Sequence, residues 1–157
     1  MFDRSWYGRV LVERVENFIG KREWESAYQD IVEFEQTLAD DGYLIVKFWL
    51  HISQKEQKKR FKALQQDSLT AWKVTAEDWE HQRKYAEYVV AVEEMLERTS
   101  TEWGTWTIVE ATQKRYTIVK LYRTLIAALE ERLGLTPSPL FRNDKTVSGE
   151  GESAACD

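Results

Sequence analysis

The sequence has few residues of several types, and each shortage excludes a class of protein. Its one cysteine, Cys156, rules out a disulfide within the chain, so we expect a reducing compartment, the cytoplasm. No apolar run reaches the roughly 18 residues that a membrane span requires, and the first residues do not form a signal-peptide pattern. The net charge of −5 argues against binding to nucleic acid or to a membrane surface, because both favour a basic face.

The motifs of several enzyme classes are also missing. The seven glycines form neither Gly-x-x-x-x-Gly-Lys nor Gly-x-Gly-x-x-Gly, the loops that hold nucleotide phosphates. His51 and His81 have no cysteine or histidine partner at metal-ligand spacing, and Ser5 has no histidine base near it in the sequence. The sequence therefore gives no support to a zinc site or a hydrolytic triad.

What the chain does have is an alternation of helical and strand patterns. Apolar residues recur at helical spacing in several segments, while one nearly continuous apolar run is typical of a strand buried in a parallel sheet. The order helix, strand, helix, helix, strand, helix predicts an α/β fold. Three predicted helices cover 24–38, 75–96 and 116–133, and a fourth begins after Ser53. The predicted strands cover 43–52 and 105–109.

Residues at the helix ends support these boundaries. Ser53 with Glu56, and Thr75 with Asp78, have the spacing of capping boxes, and Gly134 is placed to end the last helix. From Leu135 onward the chain holds both prolines and mixed charges without periodicity. We therefore predict one partial domain over 1–133 and a disordered tail over 134–157.

Residues 1–9, Met-Phe-Asp-Arg-Ser-Trp-Tyr-Gly-Arg, could carry phosphate chemistry. Met1 and Phe2 have the character of the end of a buried strand, which would place Asp3 and Arg4 where that strand opens into a loop. An acid at this position holds magnesium in P-loop proteins, and arginines such as Arg4 and Arg9 bind phosphate oxygens as forks. The alternative is that Asp3 caps a helix and the arginines form surface ion pairs.

A second candidate is the segment 54–85, which holds eight lysines or arginines against five acids in a chain that is acidic as a whole. A basic segment of this kind could close as a mobile lid over a polyanion. The alternative is a solvated helix face, which is what a run of charges usually forms.

The string Phe2–Arg9 resembles the polyphosphate kinase 2 family, and within it the polyphosphate:AMP phosphotransferase branch. The resemblance continues through Val46–Ser53 and Trp72–Trp79 to about Leu129. It implies a P-loop kinase-like, three-layer α/β/α parallel sheet, of which this chain carries the C-terminal half, with a helical lid over about 54–85.

The same resemblance implies a reaction and a set of residues. The family moves phosphate between inorganic polyphosphate and a nucleoside mono- or diphosphate with Mg²⁺, and its members are commonly homo-oligomers. Asp3 would orient the metal and Arg4 would stabilise the transferred phosphoryl group, which makes both catalytic. The residues implied to bind phosphate are Arg9, Arg60, Lys62 and Lys73.

The chain also departs from the family pattern. Leu64 stands where the lid usually has arginine, and Glu80-His81-Gln82 replaces a segment that is often basic. The family's phosphate loop lies upstream of the motif that begins this chain, so we expect a fragment with little activity alone. Two alternatives are a degenerate, non-catalytic remnant that serves as a structural or interaction module, and another P-loop kinase that uses ATP.

Overall fold

The computed structural model describes residues 1–3 and 5–136, and in this part of the chain two parallel strands are joined and flanked by helices. The predicted α/β class and the parallel sheet are confirmed. In chain order the elements are α1 (Val12–Val15), α2 (Lys21–Asp40), β1 (Lys47–His51), α3 (Gln54–Gln66), α4 (Ala76–Arg83), α5 (Tyr85–Thr99), β2 (Trp106–Glu110) and α6 (Lys114–Leu133), with 3₁₀ turns at Ser5–Val10 and Ala71–Lys73.

The register of the sheet brings the ends of both strands to one edge. Lys47 pairs with Trp106 at the start of the strands, and His51 pairs with Glu110 at their end. The N–H of Ala111 extends the pairing by donating to the His51 carbonyl at 2.8 Å. A parallel pair needs a long crossover, and helices α3, α4 and α5 supply it.

Helix ends follow the chemistry that the sequence predicts. The Ser53 hydroxyl accepts the Glu56 N–H at 3.2 Å, and Thr75 and Asp78 form a complete capping box. Helix α6 ends at Gly134, whose φ of 64° lies in the left-handed region that glycine adopts without a side-chain clash.

The core lies between helices α2 and α5 and one face of the sheet. Helix α2 buries Ala27, Tyr28 and Ile31, which recur at the spacing of one helical face. Trp49 of β1 and Trp106 of β2 pack against this cluster from the sheet. The buried members of the core cluster are Tyr7, Val10, Ala27, Tyr28, Ile31, Val92 and Met95.

Several boundaries differ from the sequence prediction. Met1 and Phe2 do not end a strand: both are exposed, and among the described residues the sheet has only β1 and β2. The strand predicted over 43–52 shortens to Lys47–His51, and the strand predicted over 105–109 shifts by one residue. The helix predicted over 75–96 is broken at Lys84, where the chain turns between α4 and α5.

Apolar side chains remain exposed on the sheet and on α6. The apolar run 43–52 indicates a strand buried on both faces, and this prediction is wrong, because Leu50 of β1 is 51% exposed. Ile108 of the neighbouring strand β2 is 50% exposed. Helix α6 forms as predicted, but Tyr122 and Leu133 on its apolar stripe stay exposed. Within the described ranges, no helix has both the length and the apolar character to cross a membrane. Most of the predicted tail, 137–157, lies outside the described residues.

Candidate functional site

The motif loop comprises residues 2–9, and its 3₁₀ turn, Ser5–Val10, lies against helix α2. Asp3 is exposed, and among the described residues it forms no hydrogen bond or ion pair, so it does not cap a helix. Arg4 lies outside the described residues. Ser5 has a φ of 52°, which is uncommon for a residue with a side chain, and it begins the 3₁₀ turn that carries Tyr7 and Arg9. The loop therefore presents its polar residues from a tightly turned backbone.

A buried polar cluster, formed by Tyr7, Glu35 and Lys47, fastens the motif loop to the core. The Tyr7 hydroxyl donates to Glu35 Oε1 at 2.6 Å, and the Lys47 ammonium donates to Glu35 Oε2 at 2.8 Å. Lys47 also donates to the Tyr7 hydroxyl at 3.2 Å and to the Thr99 carbonyl at 2.6 Å. The cluster thus ties together the motif loop, α2, β1 and the end of α5.

Indole groups complete the surroundings of this cluster. The Trp6 Nε1–H donates to Glu35 Oε1 at 3.2 Å. The Trp106 ring lies 5.2 Å from the Lys47 ammonium and 4.8 Å from the Tyr7 ring, and its Nε1–H donates to the Thr99 hydroxyl. A cation over an indole face is attracted by the ring quadrupole, so Trp106 adds to the stabilisation of the buried charge.

Burial changes the acid–base behaviour of the cluster. Burial lowers the pKa of the Lys47 ammonium, while the hydrogen bond and charge of Glu35 act in the opposite direction. Burial, together with the hydrogen bond to Glu35, raises the pKa of the Tyr7 hydroxyl far above its usual range. The Tyr7 hydroxyl therefore keeps its proton and donates a hydrogen bond to Glu35.

Arg9 lies at a groove between the motif loop and α2. Its side chain is 54% exposed, and its ion pair with Glu13 is long at 3.7 Å. An exposed arginine with such a weak partner is available to bind an anion. The groove has a volume of about 320 Å³ and is lined by Trp6, Arg9, Glu13, Ala27, Asp30, Ile31 and Phe34.

Arg60 lies at the edge of the sheet where both strands end, the edge that binds ligands in open α/β sheets. Its guanidinium donates to the carbonyls of Ala111 and Thr112 at 2.8 and 2.9 Å and to Glu56 at 2.9 Å. These contacts hold α3 to the loop that follows β2. Phosphate binding by Arg60 remains a prediction: these contacts use Nε and Nη2, and the side chain is 41% exposed.

Lys62 and Lys73 lie on the surface of the predicted lid segment, 54–85. Lys62 lies in a row of lysines along α3 that also includes Lys55, Lys58 and Lys59. The Lys73 ammonium lies 5.6 Å from the centre of the Trp72 ring, and both side chains are exposed. Their positions suit contacts with a polyanion, but Arg60, Lys62 and Lys73 form no hydrogen bond or ion pair with residues 1–3 or 5–9.

Asp3 has the chemistry to take part in a magnesium site. The described residues contain no group of three or more acidic, histidine or cysteine side chains that could hold a metal by themselves. Mg²⁺, however, is commonly held by one or two carboxylates together with substrate phosphates and water. The exposed Asp3 carboxylate fits that smaller role.

Two residues of the buried cluster were not identified from the sequence as important. Lys47 is a charge inside the apolar run 43–52, and Glu35 follows Ile31 by one helical turn on the buried stripe of α2. The sequence signal for this pair is a charged residue at each of two predicted core positions, because a buried charge needs a partner of opposite sign. The sequence did not say that the two charges pair with each other or that Tyr7 joins them.

Comparisons with known proteins agree on one family. The family model described as Polyphosphate kinase 2 (PPK2) matches residues 1–134. The chain is 48% identical over 130 residues to a polyphosphate:AMP phosphotransferase of Pseudomonas aeruginosa, which covers 83% of this chain and 26% of that protein. It is 35% identical over 147 residues to an AMP/ADP-polyphosphate phosphotransferase of Meiothermus ruber, covering 94% of this chain and 55% of the relative.

The fold comparison gives the same grouping. A crystal structure from Pseudomonas aeruginosa PA01 matches with a TM-score of 0.81 and 46% identity, over 87% of this chain and 29% of that one. The crystal structure of Polyphosphate Kinase 2 from Arthrobacter aurescens TC1 matches with a TM-score of 0.77 and 35% identity, over 84% of this chain and 47% of that one. The chain thus spans between about a quarter and a little over half of the proteins it matches.

Proposed function

Because the chain belongs to the polyphosphate kinase 2 family, we propose that it takes part in phosphate transfer between inorganic polyphosphate and a nucleoside mono- or diphosphate. Relatives named polyphosphate:AMP, AMP/ADP-polyphosphate and GDP-polyphosphate phosphotransferases support this substrate class. The observation that carries the proposal is the motif loop, in which Asp3 and Arg9 reach solvent from a backbone anchored in the core.

Phosphoryl transfer depends mainly on positioning and on neutralising charge, so few groups need to react covalently. In this proposal Asp3 orients Mg²⁺ through its carboxylate, and Arg9 donates hydrogen bonds to the phosphate oxygens. Mg²⁺ would neutralise charge on the phosphates as the transfer proceeds. Lys62 and Lys73 would hold the polyphosphate chain from the lid segment, and Arg60 would join them through the Nη1 donors, which its contacts with Glu56, Ala111 and Thr112 do not use.

We also propose that this chain alone transfers phosphate slowly. Each charge-assisted hydrogen bond to phosphate contributes about 1.5–3 kcal/mol, so a site needs several of them to bind well. In the described part of the chain, Asp3 and Arg9 reach solvent on the motif loop, whereas Arg60 is engaged with Glu56 and two carbonyls.

The test places this chain in the context of an active relative. Residues 1–134 would replace the matching segment of the Pseudomonas aeruginosa polyphosphate:AMP phosphotransferase, and nucleotide formation from polyphosphate and AMP would be followed with Mg²⁺ present. We expect the chimera to be active and Asp3→Asn to lower kcat by about a hundredfold or more, because the Mg²⁺ that would neutralise charge in the transition state loses the carboxylate that orients it. Asp40→Asn, at the exposed end of α2, is the matched control and should leave kcat unchanged.

A second candidate function is a non-catalytic module of the same fold. It is favoured by the engaged guanidinium of Arg60 and by Glu80, an acid in the lid segment that pairs with Arg83. A chimera that folds with the thermal stability of the relative but forms no nucleotide would support this function and contradict the first. Activity that survives Asp3→Asn would contradict the assigned role of Asp3.

A further inference from the structure

The buried polar cluster is organised around one carboxylate whose two oxygens have different partners. Glu35 is completely buried. Its Oε1 accepts hydrogen bonds from the Tyr7 hydroxyl and the Trp6 indole, and its Oε2 accepts one from Lys47. A phenylalanine at position 7, or an apolar residue at position 6, would fill similar space but would leave Oε1 without that donor. The hydrogen bonds of these two aromatic residues therefore act together with their packing in the core to fix their position.

Both aromatic residues lie inside the motif loop, between Asp3, which is assigned to Mg²⁺, and Arg9, which is assigned to phosphate. Asp3 comes three residues before Trp6, and Arg9 comes two residues after Tyr7 on the same 3₁₀ turn. A shift of Tyr7 would therefore displace Arg9 along the turn and Asp3 along the backbone that precedes it. The Trp6 side chain, which donates to Glu35, also lines the groove beside Arg9 and gives the cluster a second connection to the site.

The backbone of the motif loop adopts an unfavourable conformation at Ser5, which the surrounding contacts must stabilise. Its φ of 52° costs a residue with a side chain about 1–3 kcal/mol, and such conformations persist where the surroundings determine them. Ser5 lies directly between Asp3-Arg4 and the anchored Trp6-Tyr7 pair. The anchored aromatic residues are the part of the surroundings that can hold this turn.

A buried ion pair is a poor source of net stability, so its presence calls for another reason. Well-packed apolar residues of the same size often stabilise a core equally well or better, whereas a buried pair imposes one arrangement on its partners. In this chain that arrangement includes the motif loop, α2, β1 and the end of α5. The contacts of the Glu35–Lys47 pair therefore support a role in fixing the conformation of the motif loop.

We propose that Glu35, Lys47 and Tyr7 are positioning residues that hold the motif loop in the conformation in which Asp3 orients Mg²⁺ and Arg9 binds phosphate. The inference rests on the proposed function for the roles of Asp3 and Arg9. The cluster itself does not touch the phosphate. It sets the direction in which the two solvent-facing side chains leave the backbone.

The test uses the whole chain with Tyr7→Phe, which removes one oxygen atom and leaves the Glu35–Lys47 pair in place. Tripolyphosphate with Mg²⁺ is the probe, and its affinity is measured by calorimetry at a temperature where circular dichroism shows the variant fully folded. We expect about tenfold weaker binding and faster amide hydrogen exchange at Ser5, Gly8 and Arg9. Tyr88→Phe is the control, since that hydroxyl also donates to a carboxylate, Glu16, at 3.1 Å.

The outcomes separate this inference from the proposed function. Unchanged affinity in Tyr7→Phe, or an equal loss in Tyr88→Phe, would overturn the positioning role, because a purely structural hydroxyl alters stability without altering binding by the folded protein. If the unaltered chain binds no tripolyphosphate, phosphate binding by this chain is contradicted. Amide exchange then decides the positioning role, which is overturned if exchange at residues 5–9 is the same in Tyr7→Phe and in the unaltered chain.

Discussion

Each oxygen of the Glu35 carboxylate accepts a hydrogen bond in the middle of the core, and the nearest positive charge is the Lys47 ammonium. Removal of one member of a buried pair leaves the other charged and without its partner, which costs about 3–5 kcal/mol. Removal of both costs less than the sum, because no unpaired charge remains. The two residues should therefore be strongly coupled in stability.

We predict that Glu35→Gln and Lys47→Met each lower the free energy of unfolding by about 3–5 kcal/mol, and that the double variant recovers about 1–3 kcal/mol of the summed loss. Urea denaturation of the four proteins measures this coupling. The exposed pair Lys21–Glu25, with N–O 3.5 Å, provides a control cycle in which no coupling should be measurable. Additive losses at Glu35 and Lys47 would show that the pair does not act as a unit.

At the scale of the helices and strands, the contacts of Glu16 join the end of α1 to α4 and α5, which are distant from α1 in sequence. Glu16 follows α1, and its carboxylate accepts hydrogen bonds from Lys84, between α4 and α5, at 2.6 Å and from Tyr88 of α5 at 3.1 Å. The Lys84 hydrogen bond lowers the pKa of Glu16, against the opposing effect of burial, and Tyr88 adds to it. His81 lies 3.6 Å from the same carboxylate.

The direction of the Glu16 shift predicts an acid-sensitive contact between these helices. A carboxyl group whose pKa is lower in the folded state stabilises the fold above its ordinary pKa near 4.5, and loses this contribution as pH falls through the folded value. We expect stability, measured by urea unfolding from pH 7 to pH 3, to fall less steeply with pH in Glu16→Gln. Glu97→Gln, an exposed position on α5, should retain the original slope. The same slope in Glu16→Gln would contradict the role of this contact.

The elements could be predicted from the sequence where one local signal determines them. The apolar period predicts a helix over 24–38, and α2 extends over Lys21–Asp40, because the signal for this helix is local to its own residues. The pairing of Glu35 with Lys47 could not be predicted in the same way, since it depends on how α2 packs on β1. The exposure of the apolar stripe on α6 could not be predicted either. An amphipathic pattern shows which face of a helix is apolar but not whether another element covers that face.

At the scale of the whole molecule, the described surface carries an apolar stripe along α6. Tyr122 and Leu129 are seven residues apart and Leu133 follows four later, so the three lie on one helical face. They are 62%, 43% and 66% exposed. Leu50 and Ile108 leave further apolar surface on the sheet. Apolar surface gathered in one region favours association with another apolar surface, whereas single exposed residues have little effect.

We predict that the chain binds a hydrophobic dye such as anilinonaphthalene sulfonate and associates as its concentration rises, as followed by sedimentation velocity. Tyr122→Lys with Leu129→Lys should lower both, because two charges on one stripe make its burial unfavourable while the helix retains good helix formers. Val90→Lys, at an exposed apolar position on α5, is the control and should change neither. A chain that binds no dye and sediments as a monomer at all concentrations would show that the α6 stripe is too small or too divided to act as one surface. Dye binding that survives the double variant would instead assign the apolar surface to the sheet, at Leu50 and Ile108.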